Sequence, residues 1–312
     1  MATRNPSRAG APQLEGPADA PPSPAPERRR HGREDEFTSV RHVYEPHTIG
    51  LPPLGSYLRE LWRRREFAIE LARTDLRAQH FNTVFGQLWL VLNGILLGLI
   101  YFLLVVIISR GNKDAAFFGH LLAALFIFRF VSRSVKQGAR SVVGGGRLIL
   151  NTAFPRALLP LSSVLGAFLA FLPLALVYAV VHVVLDKPVG PELVWLLPVT
   201  ATFVVFACGA AMFIATAQVY FRDLKSFLPY LTRVWLYSSP ILYFVDQIPE
   251  RLKPILMLNP LYPMLGALSS IVDEGEAPSA QFLLWGFGWA VLALVVGGLF
   301  FISREREFAV RI

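Results

Sequence analysis

Residues 85–109 contain Leu, Ile, Val, Gly and aromatic side chains in quantity and not one charged group. A bilayer core about 30 Å thick is crossed by roughly 20 helical residues at about 1.5 Å each, so a run of this length constrains the fold before any motif does. Comparable runs recur at about 117–135, 157–185, 193–219, 230–246 and 282–303. The chain is 54% hydrophobic and 17% charged, and its charges collect between the runs. This pattern predicts an all-α polytopic membrane protein of about six transmembrane helices.

Residues 1–50 contain PPSPAP and RRRHGRED, too polar and Pro-rich to bury a core, and read as a disordered cytoplasmic tail with no cleavable signal peptide. The single cysteine, Cys208, falls inside an apolar run and reads as a buried structural thiol, so neither a disulfide nor a metal framework is expected. The net charge of +8 is distributed on the flanks of apolar runs, where membrane topology places it, and nucleic acid is not an expected partner.

One set of flanks holds Arg59, Arg63, Arg64, Arg65, Arg73 and Arg77, the basic residues from Arg129 to Arg156, Arg222, Lys225, Arg304, Arg306 and Arg311. The other holds Arg110, Lys113, Lys187, Arg251 and Lys253, diluted by Glu250, Asp273, Glu274 and Glu276. The positive-inside rule then puts both termini in the cytoplasm of a multi-pass plasma-membrane protein. Before the first run, residues 51–82 place Leu58, Leu61, Trp62, Ile69, Ala72 and Leu76 at helical spacing with arginines on the remaining arc, and Ser56 as N-cap. Such a helix lies in the headgroup layer or docks on a partner.

Several chemistries lack their residues. The apolar runs have no carboxylate at mid-depth for proton coupling. There is no metal-binding Asp-x-Asp pair, no Gly-x-Ser-x-Gly elbow and no Cys/His metal spacing. No Gly-Lys pair occurs, so the chain has no P-loop for ATP. No catalytic residue is assigned.

Arg129, Arg133, Lys136 and Arg140 follow at i, i+4, i+7 and i+11, which gathers them on one helical face. This basic ridge reads either as an entrance for an anionic group such as a lipid diphosphate, which guanidinium groups recognise well, or as snorkelling side chains that fix topology. Residues 247–272 include Pro249, Pro254, Pro260 and Pro263, too broken to span and too apolar to float. Two short re-entrant helices on the outer side, turning at Asn259 and Pro260, are expected, as a gate or as a plain cap. The run at 230–246 holds Tyr230, Arg233, Trp235, Tyr237 and Tyr243, aromatic and polar groups suited to lining a sugar path or to interfacial packing.

The stretches RTDLRAQHFNTVFGQLWLVLN, RLILNTAFPRALLPLSSV, YFRDL, SSPILYF followed by IPERLKPILMLNPLYP, and the closing EREFAVRI occur in an order that resembles the permease subunits of type 2 ABC exporters. Members of that family move lipid-linked polysaccharides, including O-antigen, teichoic acid and galactan, and the Arg/Ala-rich composition is most similar to the mycobacterial galactan exporters. The resemblance covers residues 57–312. One departure is Asn93-Gly94, where relatives often have Asn-Pro.

The resemblance implies a permease domain over residues 83–312. Within it, residues 144–157 form a coupling loop that docks on an ATPase subunit through Arg147, Asn151, Phe154, Pro155 and Arg156, aided by Arg73 and Asp75 of the N-terminal helix. It also implies two copies of this chain with two ATPase subunits, ATP and Mg held by the partner, and a polyprenyl-diphosphate-linked polysaccharide as cargo. An ABC exporter of a drug or small lipid, and a polytopic polyprenyl-lipid glycosyltransferase using Asp75 or Asp223, are the competing readings.

Overall fold

The computed structural model describes residues 53–79, 86, 88–108 and 115–312; the expected N-terminal tail lies outside them. All regular structure among the described residues is helical. The helices are α1 (Leu54–Arg63), α2 (Arg65–Gln79), α3 (Leu88–Ile108), α4 (Ala115–Gly144), α5 (Gly146–Asn151), α6 (Leu158–Val184), α7 (Leu196–Tyr220), α8 (Leu224–Ser238), α9 (Lys253–Leu256), α10 (Leu261–Ser269), α11 (Ala280–Arg304) and α12 (Phe308–Arg311). Among the described residues, five helical stretches are long and apolar enough to cross a membrane: Leu88–Ile108, Ala116–Gly144, Leu158–Val184, Pro191–Tyr220 and Ala280–Arg311.

The run at 230–246 does not form the expected sixth span. Its helix, α8, starts earlier and stops at Ser238 after 15 residues, about 22 Å of rise and short of the hydrocarbon thickness. Pro240 is the cause. It disfavours the helical region for the residue before it, and Ser239 is extended at φ −103° and ψ 151°.

The N-terminal segment also departs from expectation. It is two helices broken at Arg64, and the cap position is Pro53; the Ser56 hydroxyl instead donates to the Pro53 carbonyl at 2.8 Å. Leu58 and Trp62 are exposed, as a headgroup helix requires, whereas Ala72 turns inward and packs on Gly166 of α6. A small residue on each side lets the two backbones approach.

The centre of the bundle is α4, whose side chains from Leu121 to Phe128 are buried between α6 and α7. On the other side α7 crosses α11 at Gly209 and Gly297, where backbone meets backbone: a methyl at Gly209 would fall on the Ala293 peptide, and one at Gly297 on the Gly209 carbonyl. Small residues at crossings supply close dispersion contact, the main attraction left between helices in lipid. Outward positions such as Leu99, Ile100, Val180, Leu197 and Leu284 stay exposed and apolar. The bundle has a proximal end, where α4 meets α5 and the chain finishes in α12, and a distal end occupied by α9 and α10.

Candidate functional site

At the proximal end, α4 gives way at Gly145 to the six-residue α5, which is held from beneath. Ile149 faces inward, into a cluster with Tyr57, Val142, Leu159, Val219, Phe301 and Phe308, while Arg147, Leu150 and Asn151 face out. The C-terminal segment is the seat. Phe308 is fully buried with its ring edge-on to Phe301, and the Ile312 side chain rests against Gly146, where a methyl would displace it.

Glu305 ties three parts of the chain together. Its carboxylate accepts a hydrogen bond from the Tyr57 hydroxyl at 2.6 Å, and its carbonyl accepts one from the Arg156 guanidinium. Burial, reinforced by the Glu305 carboxylate, raises the Tyr57 phenol above its usual range. Two residues on, Glu307 accepts from the Tyr220 hydroxyl at 2.7 Å and pairs with Arg304 and Arg311 at 3.0 and 3.2 Å.

The residues expected to dock a partner therefore separate into two groups. Arg147 and Asn151 are exposed on α5. Phe154 packs its ring on Phe67 of α2 at 5.4 Å, Pro155 is buried, and Arg156 is engaged with Glu305, so these three position the segment from inside. Arg64 assists by donating to the Ala153 carbonyl at 2.7 Å. Arg73 is exposed on α2, and Asp75 borders a cavity of about 890 Å³ together with Arg140, Arg147 and Asn151. Partial burial at that rim raises the Asp75 carboxyl above its ordinary value.

Higher on the same face of α4, Arg129, Arg133 and Lys136 line a recess of about 330 Å³ with Ser132 and Gln137, and its lining holds no carboxylate. All three cations are half-buried. The neighbouring cavity shares Gln137 and is bordered by Arg140, so the four basic residues read from the sequence mark a descending path along one helix. Arg233 of α8 is close enough to Lys136 to repel it.

On α8 the spacing of Tyr230, Arg233 and Tyr237 leaves these three exposed on one face. Trp235 points the other way. Its ring meets Phe128 and Phe206 edge-on, and its indole N–H donates to the Asn259 side-chain oxygen at 2.8 Å. Tyr243 lies past the helix end, half-buried. Asn259 completes a latch by donating to the Ser238 carbonyl at 3.1 Å and the Ser239 hydroxyl at 3.0 Å, and by accepting from the Leu261 amide. Asn259 and Pro260 stand between α9 and α10, the latter buried along its whole length; Pro249 and Pro254 are exposed.

Sequence reasoning missed a buried polar cluster at the distal end. Asp273 pairs with Lys187 at 2.9 Å and with His120 at 2.6 Å, and accepts from the Ser269 hydroxyl at 2.8 Å. These partners are far apart in the chain, and only the unusual appearance of a His at the head of an apolar run hinted at them. Burial works to raise the Asp273 carboxyl, but the His120 and Lys187 contacts prevail and hold it below the usual carboxylate range.

Among the described residues no group of His, Cys, Asp and Glu could hold a metal ion. Comparison with known proteins identifies a match to the family model described as ABC-2 type transporter over residues 68–272. The O-antigen export system permease protein RfbA of Klebsiella pneumoniae is 29% identical over 245 residues, 78% of this chain and 94% of that one. Its namesake in Myxococcus xanthus is 30% identical over 262 residues, 81% of this chain and 97% of that one.

Proposed function

Because the chain belongs to the ABC-2 type transporter family and is a permease subunit of that class, we propose that it exports a polyprenyl-diphosphate-linked polysaccharide, galactan in the first instance, across the plasma membrane. The observation that carries this reading is the recess on α4. Arg129, Arg133 and Lys136 meet there at half-burial with no carboxylate in the lining. A cation at that depth of an apolar span costs roughly 2.5 kcal/mol or more, and a diphosphate would offset that cost at Arg129 and Lys136 through charge-assisted hydrogen bonds.

The relatives support the class of cargo: both are described as O-antigen export permeases. In our reading two copies of this chain enclose the path, and the proximal end of the bundle faces the cytoplasm, in keeping with its basic flanks. ATP and Mg are held by a pair of partner subunits, since this chain has no Gly-Lys pair to cradle phosphate. Arg147, Leu150 and Asn151 on α5 receive the movement of the ATPase pair. That movement shifts the balance between closed and open bundles through contacts that differ between the two states. The diphosphate enters at the α4 recess, and the glycan follows past Tyr230, Arg233 and Tyr237, whose rings and polar groups suit sugar faces and hydroxyls. The hairpin of α9 and α10 closes the distal mouth.

The experiment is depletion of the chain in its host with replacement by Arg129→Gln/Arg133→Gln. The reading expects lipid-linked polymer to accumulate on the cytoplasmic leaflet in both cases. Normal surface polymer in the depleted cells would redirect the cargo to another class, and normal export by the double variant would remove the entrance from α4.

A further inference from the structure

A second basic recess, separate from the α4 entrance, sits at the proximal corner of the bundle. It has a volume of about 770 Å³ and is lined by Arg140, Gln218, Arg222, Lys225, Ser226 and Arg311, with no Asp or Glu side chain in the lining. The cations come from separate elements: Arg140 from α4, Arg222 and Lys225 from the turn into α8 and its first residues, and Arg311 from α12. Glu307 neutralises Arg311 at 3.2 Å and is shared with Arg304. Arg140, Arg222 and Lys225 form no ion pair among the described residues.

The recess is built. Gln218 is only 4% exposed; its amide N–H donates to the Arg222 carbonyl at 2.8 Å, and its oxygen is buried without a donor among the described residues. The Arg222 guanidinium in turn donates to the Arg311 carbonyl at 3.1 Å. The polar floor therefore sets the backbone from which the arginine rises, and three like charges converge on one space. All three side chains are exposed, so water screens part of their repulsion, and an anion in the recess relieves the rest.

Its depth selects the anion. Arg140 lies one turn before α4 ends at Gly144, and Gln218 lies two residues before α7 ends at Tyr220. Both helices are membrane spans that finish there. The recess is thus at the level where hydrocarbon gives way to headgroups, and where basic residues meet lipid phosphate.

We infer that this corner binds the phosphate of a lipid headgroup, with Arg140, Arg222 and Lys225 as its donors. The inference depends on the membrane placement of α4 and α7 and not on the cargo assigned above. The phosphate has two sources, an acidic membrane phospholipid or the diphosphate end of a polyprenyl lipid. A protein carboxylate patch is less suited, because the recess lies at headgroup depth, where lipid phosphate is the anion at hand.

The test is native mass spectrometry of the transporter purified with its ATPase partner, titrated with phosphatidylglycerol and, separately, phosphatidylcholine. The wild type retains phosphatidylglycerol or a copurifying polyprenyl diphosphate; material from cells lacking the polymer distinguishes the two. In Arg222→Gln/Lys225→Gln that retention falls by on the order of tenfold, while Arg222→Lys/Lys225→Arg restores it. Equal retention of the two phospholipids by the wild type, or retention unchanged in Arg222→Gln/Lys225→Gln, overturns the inference. Loss of the ATPase partner from that variant with its bound lipid intact also overturns it, and makes the corner a protein contact.

Discussion

The hydroxyl of Tyr57, in the first helix, donates to the carboxylate of Glu305, just past the last membrane span, at 2.6 Å. Arg156, at the root of the segment that follows α5, holds the carbonyl of the same glutamate. The beginning of the described chain, its middle and its end meet on one residue, and α5 rests on the cluster they form. Removing the hydroxyl with Tyr57→Phe leaves a part-buried carboxylate oxygen without its donor, a cost of roughly 1 to 3 kcal/mol. The expected result is a lower thermal midpoint for the purified protein and faster proteolysis after Arg63 and Arg64; an unchanged midpoint would show that Tyr57 contributes only packing.

The crossing of α7 and α11 sets a second prediction. Neither Gly209 nor Gly297 has room for a methyl group, and the obstruction is backbone in both cases, so nothing can rotate aside. Gly209→Val is expected to cost more than the roughly 1 to 3 kcal/mol of ordinary overpacking and to abolish recovery of monodisperse protein in detergent. Gly288→Ala, on α11 with open space at that position, is expected to behave as wild type.

At the distal end, Asp273 gives a pH dependence whose sign follows from its environment. Its carboxyl is held below the ordinary value in the folded protein. As pH falls, the unfolded chain therefore takes up the proton first. The contribution of the pair is full above the unfolded value of about 3.9 and is lost as pH drops through the lower folded value. Thermal midpoints measured from pH 6 down to pH 3 should fall at the acid end in the wild type and less steeply in Asp273→Asn. That variant should also be destabilised at neutral pH by about 3 to 5 kcal/mol, the cost of leaving Lys187 buried without its anion.

Asn259 joins α8 to the hairpin through Trp235, Ser238 and Ser239. Asn259→Ala deletes those bonds and strands the Trp235 indole N–H, at roughly 1 to 3 kcal/mol. The effect should be local. Hydrogen exchange is expected to accelerate over residues 245–260 while the amides of α4 keep their protection.

Much of the architecture was legible because apolar runs of membrane length have few alternatives, and the basic face of α4 because helical spacing alone gathers its residues. The span expected at 230–246 failed for a reason visible in hindsight: Pro240 outweighs the hydropathy around it, and a window average does not register one missing amide. Ser56 was misplaced as a cap because its hydroxyl had a nearer acceptor in Pro53. The fate of Phe154 and Arg156 could not be read locally. Both look like an exposed docking motif until Phe67 and Glu305, distant in sequence, are placed beside them. The Asp273, Lys187 and His120 cluster was hidden for the same reason, since each residue alone resembles an ordinary loop charge or a lone histidine.

The central claim is that α5 is where an ATPase partner grips this permease. A photo-reactive amino acid placed in turn at Arg147, Leu150 and Asn151, and at Tyr237 as control, tests it in cells by ultraviolet crosslinking and mass identification of the adduct. The account predicts a nucleotide-binding subunit joined to each of the three α5 positions and absent from Tyr237. Efficient incorporation with no such adduct at any α5 position, in cells where export proceeds normally, would contradict it.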